Sequence, residues 1–360
     1  MKNEYTARLE KIEAVLRTWL PENPGPSWLE DVFALPGDSV SAGLEKSLSL
    51  PGWDLVNRGG KRWRPLLMLL AAECVSGEQG AEAALALTPL VEFPHNASLI
   101  HDDIEDNSDE RRGKPAVHLI YGSDSAINSG AFLYFLPLSC ISAWHASAEA
   151  KNRVCQIWGE YMRRLHLGQA MDIAWHRDYG SLPGLDEYDR MCRLKTGCLA
   201  RLAAVLGIHC GFFGAAQYDD PKALALANAF GEAAEKLGVG FQILDDVKNL
   251  TTGIPGKKRG DDVVEGKKSL PVLLYLHRNP AKKEFASRCF AAARKGGAGV
   301  PEVEEFIAAL DVAGVLEDAN QRGLRLIGES RKVFTGAEAA GFPLKKEGRE
   351  LMAGLVDLIS

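Results

Sequence analysis

Carboxylates and cations crowd one short stretch of the chain, directly after an apolar segment that is typical of a buried helix. Six of the nine residues in 102–110 are acidic, and Arg111 and Arg112 follow at once. Asp102 and Asp106 are four residues apart, so on a helix they project from one face. Carboxylates near a core need partners, because burying an unpaired charge is costly. Taken alone, the stretch has two interpretations: a solvated helix end that pairs with the arginines, or a Mg²⁺ site completed by substrate phosphate.

A second aspartate cluster favours the metal interpretation. Residues 240–250 read GFQILDDVKNL, so Asp245 and Asp246 again follow an apolar helix, and Asn249 comes four residues after Asp245. Two helix ends rich in aspartate suggest two walls of one mouth, in which Mg²⁺ bridges carboxylates to phosphate oxygens. The sequence therefore predicts a site for Mg²⁺ and a phosphorylated substrate.

Basic residues accompany both clusters, as phosphate binding requires. They are Lys61, Arg62 and Arg64 in GGKRWRP, Arg111 and Arg112, Lys195 in RLKTG, Lys257, Lys258 and Arg259 in one loop, and Lys267 in EGKKS. The sequence has neither a Walker glycine loop nor a dinucleotide-binding fingerprint, so a nucleotide is not the obvious owner of the phosphate.

The elements that must position these residues are predicted to be helices. Ala, Leu, Glu and Lys are abundant, apolar residues recur at intervals of three and four, and no sustained alternation of the kind that strands need is present. The breaks at 21–28, 50–65, 177–188, 251–262 and 294–301 are typical of loops rather than of domain linkers. We therefore expect one all-α domain of about ten or more helices.

One apolar segment is long enough to cross a bilayer. Residues 126–146 contain no Asp, Glu, Lys or Arg. However, Asn128, Ser129 and His145 dilute the segment, and Pro137 would kink it. We interpret it as a central helix of a large core, and we expect no membrane span.

The composition indicates a cytoplasmic protein that does not bind nucleic acid. The chain has 360 residues, of which 46% are hydrophobic, and this is enough for a sizeable core. A net charge of −6 gives no general affinity for nucleic acid. The first residues are too charged for a signal peptide. The seven cysteines include no CxxC pair and indicate reduced thiols rather than disulfides or metal ligands.

Six motifs, in order, resemble those of the trans-isoprenyl diphosphate synthases. They are GGKRWRP, EFPHNASLIHDDIEDNSDERRGKP, GQAMD, KTG, FQILDD and GDDVVEGKKSLP. The likeness runs from about residue 45 to the C-terminus, which leaves 1–45 as a variable N-terminal helix and loop. Locally, YGSDSAINSGAFLYF and RLHLGQAMDIAW resemble the geranylgeranyl diphosphate synthase subgroup.

The resemblance implies a fold and a reaction. The fold is a single all-α domain over residues 1–360, with helices around a central cavity (the isoprenoid synthase type I fold), usually as a homodimer. The reaction joins isopentenyl diphosphate head to tail to an allylic diphosphate (dimethylallyl, geranyl or farnesyl), requires Mg²⁺ and releases pyrophosphate. The expected product is geranylgeranyl diphosphate.

The family's roles carry over to the matching residues. The metal ligands would be Asp102 and Asp106, with Asp103 as the middle member of their motif, and Asp245, Asp246 and Asn249, the last at a position where many relatives have aspartate. The isopentenyl diphosphate pocket would contain Lys61, Arg64, His95 and Arg112. The allylic diphosphate would meet Arg111, Lys195, Thr196, Gln242, Lys267 and either Lys257 or Lys258, with Gln169 and Asp172 behind them. The catalytic group would be Asp102, Asp103, Asp106, Lys195, Thr196, Gln242 and Asp245. Arg62 is expected on the surface.

The resemblance implies that the growing tail lies along the helix that carries Asp102. Product length would then depend on the side chains beside the tail. Ala97 and Ser98, about one turn before Asp102, are small, so an early stop is not expected. Tyr134, Phe135 and His166 match the floor of the tunnel in some geranylgeranyl enzymes. The alternative for such aromatic residues is ordinary core packing. A kink at Pro89 or Pro94 would redirect the tunnel.

Other functions share parts of this pattern. A class I terpene cyclase has the first aspartate motif, but its second motif continues with Ser or Thr and then Glu at four-residue spacing, where this chain has Asn249 and Gly253. GGKRWRP would also have no role in a cyclase. A non-catalytic partner subunit of a prenyltransferase typically lacks one metal motif, and both are present here. A head-to-head condensing enzyme spaces its metal motifs differently.

Overall fold

Helices dominate the part of the chain that the structure describes, which confirms the all-α prediction. The computed structural model describes residues 2–36, 43–212, 220–253 and 258–359. In these ranges the α-helices are α1 (Lys2–Trp19), α2 (Pro26–Phe33), α3 (Leu50–Asn57), α4 (Trp63–Ser76), α5 (Glu78–Leu85), α6 (Pro89–Glu105), α7 (Val117–Tyr121), α8 (Ser123–Phe135), α9 (Pro137–Ala143), α10 (Ala148–Arg177), α11 (Leu185–Cys192), α12 (Cys198–Gly211), α13 (Pro221–Leu250), α14 (Asp261–Glu265), α15 (Leu270–Arg278), α16 (Lys283–Gly296), α17 (Pro301–Val312), α18 (Val315–Thr335) and α19 (Lys346–Ile359). Single turns of other helix types are formed by Leu44–Ser47, Arg193–Gly197 and Pro280–Lys282.

Two short β-hairpins interrupt the helices and were not predicted. β1 (Glu110–Arg111) pairs with β2 (Lys114–Pro115), and β3 (Glu338–Ala339) pairs with β4 (Phe342–Pro343), both antiparallel. Each strand has two residues, which is too short to leave an alternating pattern in the sequence. The first hairpin carries the arginines that follow the acidic stretch.

The chain divides into two compact units. Unit 1 consists of Met1–Glu160, Arg201–Gly231 and Val333–Ile359, and unit 2 of Tyr161–Ala200 and Glu232–Lys332. Within unit 1, α4 is buried almost all round and packs against α5 and α19. Within unit 2, one apolar cluster is centred on Phe290 and Phe306, and another contains Tyr188 and Ile243. The prediction that residues 1–360 form a single domain stays a prediction.

Helix α6, which carries the acidic stretch, runs without interruption through Pro94. A proline inside a helix cannot donate to the carbonyl four residues earlier, which is that of Leu90. The indole Nε1 of Trp158 donates to this oxygen instead, at 3.2 Å. The carbonyl that proline leaves unpaired is therefore satisfied from α10, and α6 continues to Glu105.

The long apolar segment forms two helices rather than one. α8 ends at Phe135 and α9 begins at Pro137, since proline is well tolerated in the first turn of a helix. Within the described residues, Ser123–Ala143 is the one stretch that is long and apolar enough to span a membrane, and half of it is buried. The side chains of Ile127 and Phe135 are exposed. The segment is thus less completely buried than a central core helix would be.

Polar contacts hold the N-terminal helix α1 against the rest of unit 1. Tyr5 donates its hydroxyl to the carbonyl of Leu351, and Arg8 forms an ion pair with Glu73, with 2.7 Å between Nε and Oε1. Ile12, Leu16 and Leu20 follow the helical period and are buried. The start of the chain is therefore part of the packed structure.

Candidate active site

One side of α6 remains accessible along its length. His95, Ser98, Asp102 and Asp106 are all half-buried, whereas Asn96, Ala97, Ile100 and Asp103 between them are buried. Their spacing of three and four residues puts them on one face. The helix therefore presents Asp102 and Asp106 on the same stripe, as the sequence predicts.

Asp103 does not share this stripe. Its side chain is fully buried, and it accepts hydrogen bonds from Arg111, at 2.9 Å from Nε and 2.5 Å from Nη2. Consecutive residues on a helix point about 100° apart, so Asp103 faces inward while Asp102 faces outward. The carboxylate of Asp103 thus holds Arg111, and its membership of the catalytic group stays a prediction.

Arg64 and His95 meet beside this stripe. Arg64 Nη1 lies 3.4 Å from His95 Nε2, and its guanidinium also covers the ring of Trp63. Arginine can only donate, so the nitrogen of His95 accepts and the imidazole is neutral. Burial first, and then the charges of Arg64, Arg112 and other arginines, hold the pKa of His95 well below its usual value. Lys61, in the turn between α3 and α4, is exposed.

Arg112 reaches the same region from the first hairpin. Its Nη1 donates to the carbonyl of Leu55 at 3.0 Å and to Asn96 Oδ1 at 3.1 Å. Gly60 lies against this guanidinium at a positive φ of 137°, and a Cβ there would come within 3.2 Å of Nη2. Burial lowers the pKa of Arg112 to about 10, which leaves the group charged at neutral pH. Unit 1 thus brings Arg64, His95 and Arg112 together, and it offers strongly positive surroundings for an anion.

Arg62 is buried, which corrects the prediction that it lies on the surface. It is 4% exposed, and its guanidinium binds Glu13 and Glu92 at 2.7 and 2.8 Å. Its backbone has a positive φ of 48° at the start of α4. The sequence reasoning failed here because the two carboxylates lie far away along the chain.

In unit 2, Lys195 and Thr196 lie in a π-helical turn, Arg193–Gly197. Such turns are rare in proteins, and those that do occur are often found at functional sites. Gly168 in α10 packs directly on this turn, because a Cβ there would lie 2.4 Å from the backbone nitrogen of Lys195. The glycine of GQAMD therefore lets α10 approach the lysine closely.

Lys195 pairs with Asp172, with 2.6 Å between Nζ and Oδ2. Burial alone would raise the pKa of Asp172, but Lys195 and Lys267 outweigh it and hold that pKa below its usual value. The carboxylate therefore stays ionised behind Lys195. Gln169 and Asp172 were expected to stand behind the diphosphate-binding residues, and Asp172 has a geometry that fits this role.

A chain of polar contacts links the π turn to the second aspartate cluster. Thr196 Oγ1 donates to Gln242 Oε1 at 3.1 Å, and Gln242 Nε2 donates to Asp246 Oδ1 at 2.7 Å. Burial, and then the nearby Asp262, raise the pKa of Asp246 well above its usual value. Asp245 is half-buried instead. Of these two aspartates, Asp245 is the one whose carboxylate is accessible to a ligand.

Asn249 is turned into the protein. It is 1% exposed, its Oδ1 accepts from the backbone N–H of Asp262 at 3.2 Å, and its Nδ2 lies 3.4 Å from the carbonyl of Lys258. The side chain thus joins α13 to Lys258 and to Asp262 of α14, and its metal-ligand role stays a prediction. Lys257 lies outside the described residues.

Lys267 lies close to two carboxylates of its own turn. Its Nζ lies 3.8 Å from Asp262 Oδ1 and in closer contact with Glu265. Lys258 is exposed, and its backbone N–H donates to Asp261. Unit 2 thus collects Lys195, Thr196, Gln242, Asp245 and Lys267.

The predicted chain-length residues have different surroundings. Ala97 is fully buried, whereas Ser98 shares the accessible stripe of α6. Tyr134 is buried, with its ring 5.8 Å from that of His101. Phe135 is 65% exposed, and a side chain that closes a tunnel has to be enclosed, so in the single chain Phe135 differs from the predicted floor. His166 is also exposed.

Three residues near the predicted sites were missed by the sequence reasoning: Glu92, Asn96 and Asp262. All three are polar and buried. Glu92 and Asn96 interrupt an apolar helix at four-residue spacing, and such residues need polar partners. That spacing was the available signal, and the buried network that it indicates is present.

Comparison with known proteins places these features in a family. The sequence profile described as polyprenyl synthetase matches residues 45–309. A geranylgeranyl pyrophosphate synthase from Eremothecium gossypii is 33% identical over 296 residues, which cover 79% of this chain and 88% of that protein. A geranylfarnesyl diphosphate synthase from Aeropyrum pernix is 28% identical over 310 residues, covering 85% and 91%.

Solved structures share the fold. The crystal structure of a geranylgeranyl pyrophosphate synthetase from Pyrococcus horikoshii matches with a TM-score of 0.78 and 26% sequence identity, and the match covers 98% of this chain and 95% of that one. The helices that position the residues described above are therefore arranged as in a known enzyme fold.

Proposed function

The chain belongs to the polyprenyl synthetase family and is a prenyltransferase, and we propose that it makes geranylgeranyl diphosphate from isopentenyl diphosphate and an allylic diphosphate. The allylic C–O bond breaks, a C–C bond to isopentenyl diphosphate forms head to tail, and pyrophosphate leaves with the proton that the new chain loses. No side-chain base is required for this balance.

The positive pocket of unit 1 is the observation that carries the proposal. Arg64 and Arg112 converge on a neutral His95, and no ordinary core has a reason to collect such charges. A diphosphate matches them, because guanidinium groups bind phosphate oxygens in pairs. We assign this pocket, with Lys61 at its edge, to isopentenyl diphosphate.

Unit 2 supplies the residues that we assign to the allylic diphosphate. Lys195 and Lys267 bring positive charge for the leaving group. The oxygens of Thr196 and Gln242 face each other and supply lone pairs that steady the positive charge on the allylic carbon. Asp172 pairs with Lys195 and holds its ammonium group in place. The polar groups are thus set before the reaction begins.

The proposal includes Mg²⁺, for which unit 1 offers Asp102 and Asp106 as candidate ligands and unit 2 offers Asp245. All three are half-buried carboxylates, which are the ligands that Mg²⁺ prefers. Within the described ranges, no group of three or more His, Cys, Asp or Glu side chains is arranged to hold a metal ion. One or two carboxylates suffice when phosphate oxygens and water complete the coordination. The ion supplies positive charge to the departing pyrophosphate.

Product length follows from the accessible face of α6. Ser98, one turn before Asp102, is small and leaves room for a tail along the helix. We propose that Tyr134, next to His101, limits the tail at twenty carbons. Both a geranylgeranyl and a geranylfarnesyl enzyme are among the relatives, so twenty and twenty-five carbons are the products to distinguish.

We also propose that the enzyme is a cytoplasmic homodimer. Leu119, Ile120, Ile127 and Phe135 are exposed apolar side chains on α7 and α8, and a second copy would cover them. Analytical ultracentrifugation of the wild type and of Ile127→Glu tests this state: the variant should sediment as a monomer.

The decisive experiment incubates purified protein with Mg²⁺, labelled isopentenyl diphosphate and each of the three allylic primers, and identifies the product by chromatography. We expect a diphosphate of twenty carbons. A cyclic hydrocarbon formed without isopentenyl diphosphate would instead indicate a terpene cyclase. Absence of any product, with both substrates bound, would indicate a non-catalytic subunit.

A further inference from the structure

A continuous polar network runs through unit 1 from the N-terminal helix to Arg112. Glu13 of α1 accepts from Arg62 Nε at 2.7 Å, and Arg62 Nη1 donates to Glu92 Oε1 at 2.8 Å. The same Glu92 oxygen accepts from Asn96 Nδ2 at 2.9 Å, and Asn96 Oδ1 accepts from Arg112 Nη1 at 3.1 Å. Each group is thus held by the next one.

Burial makes the middle of this network rigid. Arg62, Glu92 and Asn96 are almost completely buried. Removal of one partner from a buried ion pair strongly destabilises the folded protein, because it leaves a buried charge unpaired. Burial alone would lower the pKa of Arg62, but Glu92 and Glu13 outweigh it and raise the pKa. The guanidinium is therefore a permanent cation that both carboxylates share.

Arg62 also fixes the turn that precedes it. It donates to the backbone carbonyl of Val56, near the end of α3, and to that of Gly59, in the turn between α3 and α4. Its neighbours in sequence are Lys61 and, two residues on, Arg64. A shift of the Arg62 guanidinium would consequently move the turn that carries Lys61 and the start of α4 that carries Arg64.

Asn96 transmits the orientation to Arg112. Its amide nitrogen donates to the backbone carbonyl and to the carboxylate of Glu92, so its oxygen can only point the other way, towards Arg112. The free rotation of the long arginine side chain is thereby restricted, and less entropy is lost when an anion binds.

We propose that α1 is a working part of the isopentenyl diphosphate pocket: Glu13, through Arg62, Glu92 and Asn96, positions Arg112 for the diphosphate. This inference rests on the proposed function of that pocket. Glu13 precedes the residues that match the polyprenyl synthetase profile, which begins at residue 45. Glu13, Glu92 and Asn96 are positioning residues that act through the arginines.

The test compares Glu13→Ala with Glu10→Ala, because Glu10 is an exposed acidic residue on the same helix. Calorimetry measures the Kd of isopentenyl diphosphate for the full chain, and steady-state kinetics gives the KM of both substrates. We expect Glu13→Ala to raise the Kd and KM of isopentenyl diphosphate about two- to fivefold, as for loss of a partly exposed ion pair. The KM of the allylic primer should not change, and Glu10→Ala should match the wild type.

Two more variants check the direction of the effect. Glu13→Gln keeps an acceptor for Arg62 without its charge, so it should recover part of the lost affinity. Asn96→Ala, at the other end, should raise the Kd about tenfold, because a hydrogen bond to a charged group is lost. Both variants should fold with the wild-type helix content.

Two results would overturn the inference. One is a Kd for Glu13→Ala equal to that of Glu10→Ala, even with a lower Tm, because α1 would then only stabilise the fold. The other is an equal rise in KM for both substrates. Failure of the proposed function would show in the wild type itself, as absence of condensation, and the Kd of inorganic pyrophosphate would still test the network in these variants.

Discussion

Arg111 holds Asp103 at the end of α6 through both carboxylate oxygens, with Nε 2.9 Å from Oδ1 and 3.2 Å from Oδ2. The pair joins the helix that carries the acidic stretch to the hairpin that follows it. Asp103 is fully buried, so the contact is shielded from water. The middle aspartate of the motif therefore serves structure and orientation, whereas its neighbours face outward.

The first prediction concerns this pair. Asp103→Ala should lower the free energy of unfolding by about 3 kcal/mol, because removing one partner leaves a buried charge unpaired. Urea denaturation measures this value. Asp102→Ala is the matched control and should unfold like the wild type. Equal stability of the two variants would contradict the structural role of Asp103.

Asp102→Ala or Asp245→Ala should reduce turnover at least about a hundredfold, because each removes a carboxylate that holds Mg²⁺ against the leaving group. The fold should survive, since both side chains are accessible. Rates are measured with saturating substrates over a range of Mg²⁺ concentrations. Near-normal turnover in either variant would show that the proposed metal ligands are wrong.

Arg64→Ala and Lys195→Ala should affect different substrates. Loss of a phosphate contact weakens binding of the substrate that it holds, so Arg64→Ala should raise the KM of isopentenyl diphosphate about tenfold or more. Lys195→Ala should act mostly on the allylic substrate. Melting curves of both variants control for misfolding, and equal effects on both substrates would contradict the assignment.

The lowered pKa of His95 makes stability depend on pH. Below the ordinary pKa, the unfolded chain binds a proton at His95 that the folded protein does not bind, so the free energy of unfolding falls as the pH falls. His95→Gln should show a smaller loss between about pH 7.5 and about pH 5.5. Urea denaturation at both values measures the difference. An identical loss in both proteins would mean that His95 is not held neutral.

Tyr134→Ala should lengthen the product by one five-carbon unit, because a buried ring beside His101 would be removed. Phe135→Ala is the control on the neighbouring position and should leave chain length unchanged, because that side chain is exposed in the single chain and would be covered by the second copy, not by the tail, in the proposed homodimer. Chromatography of the products measures both. If Tyr134→Ala still stops at the wild-type length, the limit lies elsewhere.

The helices that carry the site residues could be predicted from the sequence. Many of the contacts between their side chains could not. The spacing of Asp102 and Asp106 depends only on helical geometry, so it predicted a shared face correctly. The contacts of Asp103, Asn249 and Arg62 were not predicted, because the partner of a side chain depends on residues distant in the chain. Asn249 is the clearest case, since its amide faces the backbone of Asp262 rather than a ligand.

The bond from Trp158 to the Leu90 carbonyl has an evolutionary consequence. While Pro94 is present, the indole of Trp158 donates the hydrogen bond that a backbone N–H would otherwise give to the Leu90 carbonyl. If Trp158 is replaced first, this buried carbonyl loses that donor. Replacement of Pro94 first, by a residue with an N–H, supplies an internal donor and makes the indole dispensable. The order of the two substitutions therefore matters. A change at Trp158 avoids an unpaired buried carbonyl only if Pro94 has been replaced before it.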